Sequence, residues 1–150
     1  MVTTVIASRH AKAKTQGYAD ADLYPLSEEG IEKQNKVALA LKNAGYIPTK
    51  IYSSPLLRAR QTADIFSTLY NIPFEELPAL GTEFDGERLC TFIPPPELNQ
   101  TVLLVGHAPT LAHWINQLIG DEQLPGLSTS SAAILTIDPN QTKLVEVIHG

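Results

Sequence analysis

Three times along the chain, a short and nearly unbroken run of apolar and β-branched residues leads into a turn and then into apolar residues at helical spacing. The runs are Val2 to Ala7, Lys50 to Tyr52 and Thr101 to Val105. A strand apolar along its whole length has to be covered on both faces, and a strand that returns through a helix lies parallel to the one before it. The pattern predicts an α/β fold, a three-layer sandwich with a mostly parallel central sheet. A turn is expected at Ser8. Ser27 should cap a helix that carries Glu28 and Glu29 in its first turn, buries Val37, Ala38, Leu41 and Ala44, and closes at Gly45 and Pro48. Ser54 and Pro55 should open a second helix, with Ala59, Thr62, Ala63, Phe66, Leu69 and Tyr70 on its buried face.

A further strand is expected from Phe74 to Leu77. Leu111, Trp114, Ile115, Leu118 and Ile119 form a helical stripe that stops at Gly120. Ala132 to Ile137 and Lys143 to Ile148 read as strands joined by Asp138-Pro139-Asn140-Gln141, an antiparallel edge to the sheet. The stretch from Leu80 to Asn99 has weak periodicity and contains Pro94-Pro95-Pro96, so it is read as an insertion over the surface. With 150 residues, 43% of them hydrophobic, the expected organisation is a single domain over residues 1–150.

Charge and cysteine usage narrow the partners. Eleven Lys and Arg against sixteen Asp and Glu leave a net charge of -5, which attracts neither a nucleic-acid backbone nor an anionic membrane, so any anion site must be a local cluster. Cys90 is the only cysteine, which excludes an intrachain disulfide, a Cys-rich zinc site and an iron–sulfur cluster. No signal peptide or membrane span is legible, and the expected location is the cytoplasm.

Each strand-to-helix junction carries a residue suited to phosphate: Arg9-His10 after the first strand, Arg58 after the second and Gly106-His107 after the third. The carboxyl ends of parallel strands converge on one crevice in sheets of this kind. Two guanidinium forks and the free amides of helix N-termini there favour a tetrahedral dianion, such as phosphate or sulfate. Two histidines exceed what binding needs. A neutral imidazole can attack phosphorus, and a second, protonated one can stabilise charge on the transferring phosphoryl group. That scheme calls for no metal and no cofactor, and His107 and His113, six residues apart, fall on different faces of a helix.

These segments resemble the histidine phosphatase superfamily, the phosphoglycerate mutase-like group. The residues concerned are Ser8-Arg9-His10-Ala11-Lys12-Ala13, Pro25-Leu26-Ser27-Glu28-Glu29-Gly30, Ser53-Ser54-Pro55-Leu56-Leu57-Arg58-Ala59-Arg60-Gln61-Thr62 and Val105-Gly106-His107-Ala108-Pro109. The resemblance implies that His10 is the phosphorylated nucleophile and that Arg9, Arg58 and His107 complete a phosphate pocket. The small size is similar to the SixA-type phosphohistidine phosphatases, which implies as partner a phosphorylated protein such as a histidine phosphotransfer domain. The superfamily commonly has Gly after the catalytic His, where Ala11 stands here, and Ala108 takes the place of an Asp after the second His. Glu83, Asp85 or Glu87 of the insertion is left as a candidate general acid.

An ester leaving group needs such an acid far more than a phosphohistidine does. The two alternatives to a phosphohistidine phosphatase are a small-molecule phosphomonoesterase using an acid from residues 80–90 and an inactive phosphate-binding module. The remaining polar residues have plain readings. Arg60 is expected to pair with Asp64, His113 and His149 to face solvent, Cys90 to be a small packing residue and Trp114 to be core. Lys12 and Lys14 are ordinary exposed lysines or steer an anionic substrate, and Thr129 and Ser130 belong to a turn or touch substrate.

Overall fold

In the computed structural model, which describes residues 1–150, one six-stranded sheet organises the chain. Its strands are β1 (Thr3–Arg9), β2 (Lys50–Ser53), β3 (Phe74–Glu76), β4 (Thr101–Gly106), β5 (Ala132–Ile137) and β6 (Thr142–Ile148). They lie in the order β3-β2-β4-β1-β5-β6. The pairs from β3 through β1 are parallel, whereas β5 and β6 run antiparallel at one edge. The β5–β6 hairpin turns at Asp138, whose carboxylate accepts the amides of Asn140 and Gln141.

Alternation along the strands builds two cores. Val5, Ala7, Val102, Leu104, Ala133 and Leu135 face one way and pack on helix α4 (Thr110–Ile119) through Leu111, Trp114 and Ile115. Ile6, Leu103, Val105, Ala132 and Ile134 face the other way and pack on α1 (Glu28–Asn43) and α2 (Leu57–Tyr70). The period of two in a pleated strand is what lets β1 and β4 serve both layers. Ser27 caps α1 by accepting the Gly30 amide, and α4 ends at Gly120 with φ 82°.

Several expectations are corrected. The turn after the first strand comes at His10, not Ser8, because the pairing of β1 with β4 continues through Arg9 and Gly106. The third strand stops at Glu76 rather than Leu77. Ser54 does not cap α2: Leu56 occupies that position without a side-chain cap. The stretch from Leu80 to Asn99 is not simply laid over the surface. It forms a short helix α3 (Gly86–Cys90), and Leu80 and Leu89 are fully buried in the same core as Leu111, Trp114 and Ile115, which an irregular segment achieves with single anchors that leave no periodic trace. Cys90 is exposed rather than packed. Arg60 donates from Nε to the Pro55 carbonyl at 3.0 Å and makes no salt bridge with Asp64.

Candidate active site

Strand register creates the site. Arg9 stands opposite Gly106 across the central parallel pair, so the next residues, His10 and His107, leave the sheet side by side. Their ring centroids are 5.2 Å apart. The His10 amide donates to the Gly106 carbonyl and the Ser54 amide to the Val105 carbonyl, which extends the sheet's bonding by one residue beyond β1 and β2. Arg58 follows in the first turn of α2. These side chains share a cleft of about 600 Å³, whose other walls include Lys12, Lys14, Tyr24, Phe84, Thr110 and Thr129.

His10 is buried, and its Nδ1 lies 2.7 Å from the Ala11 carbonyl oxygen. A carbonyl only accepts, so Nδ1 carries the proton and Nε2 keeps its lone pair. Burial pushes His10 down to about 4, opposed by the Ala11 bond and assisted by Arg58 and Arg9. A neutral ring with a free Nε2 is the form of histidine that attacks phosphorus. The Ala11 amide donates to Thr62 Oγ1 at 2.9 Å, and Thr62 Oγ1 donates to the Arg58 carbonyl at 2.8 Å, so one hydroxyl joins the His10 segment to the turn that bears Arg58. Ala11 has no positive φ, so its backbone conformation does not require glycine.

His107 is pushed down to about 4 by burial, then by His10, Arg58 and Arg9. Its Nε2 lies 2.7 Å from Ser54 Oγ, and its Nδ1 is buried with no protein partner. Arg9 donates from Nη1 to the Leu127 carbonyl while its Nε is also buried and unpartnered. Arg58 donates to the Ala21 carbonyl at 3.2 Å. Burial and Arg58 both disfavour the charge on Arg9. Arg9 and Arg58 therefore repel one another and, together with burial, keep both histidines neutral, with Arg9 Nε left unpartnered, and a phosphoryl dianion relieves these conditions.

No aspartate or glutamate lines this cleft. Glu83 and Asp85 face a separate hollow with Arg88 and Phe92, and Glu87 borders another beside Cys90 and Trp114. Asp85 is occupied as the cap of α3, accepting the Arg88 amide. The insertion thus brings Thr82 and Phe84 to the cleft and turns its acids away. Lys12 and Lys14 line the cleft, although Lys12 also pairs with Glu29 at 3.0 Å. Thr129 is part of the wall, and Ser130 donates its amide to the His10 carbonyl. His113 and His149 are exposed, and Trp114 is buried. No three His, Cys, Asp or Glu side chains converge as a metal site. Sequence reasoning missed Ser54 and Thr62 because a cap position and a buried helical stripe account for both without any role at a site.

The sequence profile of the histidine phosphatase superfamily (branch 1) matches residues 5–87. The phosphohistidine phosphatase SixA of Escherichia coli (strain K12) is 28% identical over 138 residues, covering 89% of this chain and 85% of that protein. The structure of the protein histidine phosphatase SixA complexed with tungstate superposes with a TM-score of 0.85 at 24% identity, covering 97% of this chain and 96% of that one. A phosphoserine phosphatase of Entamoeba histolytica in complex with 3-phosphoglyceric acid has a TM-score of 0.72 at 19% identity, covering 99% of this chain and 98% of that one. The fold is thus phosphoglycerate mutase-like, and it is shared with proteins of different substrates.

Proposed function

The chain belongs to the histidine phosphatase superfamily, and from that premise we propose that it is a metal-independent phosphatase that removes phosphate from phosphohistidine on proteins. The observation that carries the choice of substrate is a cleft with two arginines, two neutral histidines and no carboxyl group. His10 Nε2 forms a bond to phosphorus as the substrate's P–N bond breaks, and the electron pair leaves on the departing imidazole. That imidazole departs neutral when its other nitrogen already holds a proton, whereas an ester would expel an alkoxide needing a donor.

Arg9, Arg58 and His107 hold the phosphoryl oxygens and offset the charge that spreads over them in the transition state. The dianion in turn favours protonation of His107, reversing the direction in which its cationic neighbours push it. Water then attacks phosphorus, the bond to Nε2 breaks with its electron pair returning to His10, and the water's surplus proton passes to the phosphate formed. The partner in this reading is a histidine phosphotransfer domain met in the cytoplasm, acted on by one domain spanning residues 1–150. A chain with one exposed, unpaired thiol suits that reducing compartment.

The test is phosphate release from a histidine-phosphorylated protein against a panel of phosphate esters, with His10→Ala as the blank. Preferential release from phosphohistidine supports the reading. Preference for an ester overturns it and requires an acid to reach the cleft from elsewhere.

A further inference from the structure

Ser54 is fully buried, and its hydroxyl has two neighbours. The Leu56 amide donates to Oγ at 3.2 Å, and His107 Nε2 lies 2.7 Å away. A hydroxyl has one proton and two lone pairs, and a neutral imidazole has one proton and one lone pair. Two arrangements are open. If Nε2 carried the ring proton, it would donate to Ser54 Oγ, and both the Ser54 hydroxyl proton and the His107 Nδ1 lone pair would be left in the interior without protein partners. If Nδ1 carries it, Ser54 donates to Nε2, accepts from Leu56, and only Nδ1–H remains unpaired. The second arrangement leaves one unpaired group instead of two, and each buried unpaired group costs about 1–3 kcal/mol.

We propose that Ser54 is a positioning residue that holds His107 in the Nδ1–H tautomer, so that a neutral His107 at the wall of the cleft keeps an N–H donor that no protein group uses. The tautomer assignment stands on the hydroxyl geometry alone, while its catalytic consequence rests on the phosphatase reading. The device answers a difficulty of the site. His107 sits among His10, Arg58 and Arg9, whose charges disfavour a further positive charge, and a ring fixed in this tautomer needs no charge to donate. The donor is in place before the anion arrives, as electrostatic preorganisation requires.

The experiment is long-range proton–nitrogen NMR of the imidazoles near neutral pH, without substrate, with the His107 signal assigned by its loss in His107→Gln. Wild type should show His107 protonated on Nδ1 and bare on Nε2. Ser54→Ala should convert it to a mixture or to Nε2–H, and kcat for phosphohistidine should fall by about 10- to 100-fold with KM nearly unchanged, the usual scale for losing a group that orients a histidine. Ser54→Thr, which keeps the hydroxyl, should retain the wild-type tautomer and most of kcat. Nε2–H in wild type overturns the proposal whether or not the variants fold, and so does an Ser54→Ala protein with unchanged tautomer and kcat. A wild-type enzyme with the expected tautomer but no activity on phosphohistidine would sink the functional reading and leave the role of Ser54 in setting the tautomer standing.

Discussion

His10 has one ring nitrogen committed to a backbone carbonyl and the other left bare, and that division separates chemistry from binding. His10→Ala should lower turnover by more than about 10³-fold, because the proposed mechanism has His10 attack phosphorus, yet should still bind tungstate in calorimetry. Arg58→Ala should weaken both turnover and tungstate binding. The same two histidines make the free protein sensitive to acid. Both are near 4 when folded against 6.5 ordinarily, so between those values the unfolded chain binds more protons than the native one. Stability is complete above pH 6.5, falls as the pH drops from 6.5 towards 4, and loses nothing more to these groups below that. Urea unfolding at about pH 7.5 and 5 should show this fall, and inorganic phosphate should reduce it by favouring the protonated form of His107 in the complex.

At the scale of elements, α1 and α2 fix the segment that carries His10. Gly30 in the first turn of α1 lies so close to Lys12 that a Cβ there would fall on the Lys12 carbonyl oxygen, a backbone atom that cannot rotate away. Ser27 meets the same oxygen with its amide and its hydroxyl. Gly30→Ala should therefore displace Lys12 and Ala11, cost about 1–3 kcal/mol in denaturant unfolding and reduce kcat/KM, whereas an alanine at Gly126, which has open space around it, should leave kcat/KM unaffected. Thr62→Val removes the acceptor of the buried Ala11 amide and should cost about 1–3 kcal/mol, with a fall in turnover measured alongside.

For the whole molecule, the two cores support the site from beneath, and Phe84, a wall of the cleft, packs on one of them. Phe66 is fully buried between α2 and the sheet and lies outside the cleft. Phe66→Ala should cost about 3–5 kcal/mol while kcat below the lowered melting temperature stays close to wild type. The net charge of -5 and the cationic cleft are also compatible only because most acids are spread elsewhere, such as Glu32 on α1, paired with Lys36. Exposed pairs of that kind contribute little to stability, so they act mainly through the overall field.

The order of strands and helices was legible in the sequence because strand and helix periods are local properties, and so was the meeting of Arg9, His10, Arg58 and His107 in one cleft, since parallel strands gather their carboxyl ends. The insertion was not legible: Leu80 and Leu89 are buried in the core that α4 also covers, and Glu83, Asp85 and Glu87 turn from the cleft, none of which has a periodic signature. Nor did the chain alone show that Ser54, expected to cap α2, is instead the partner of His107. A residue's type and spacing determine what it can do locally, but which donor meets which acceptor across 53 residues of chain is decided only when the register of β2, β4 and β1 brings their ends to one level.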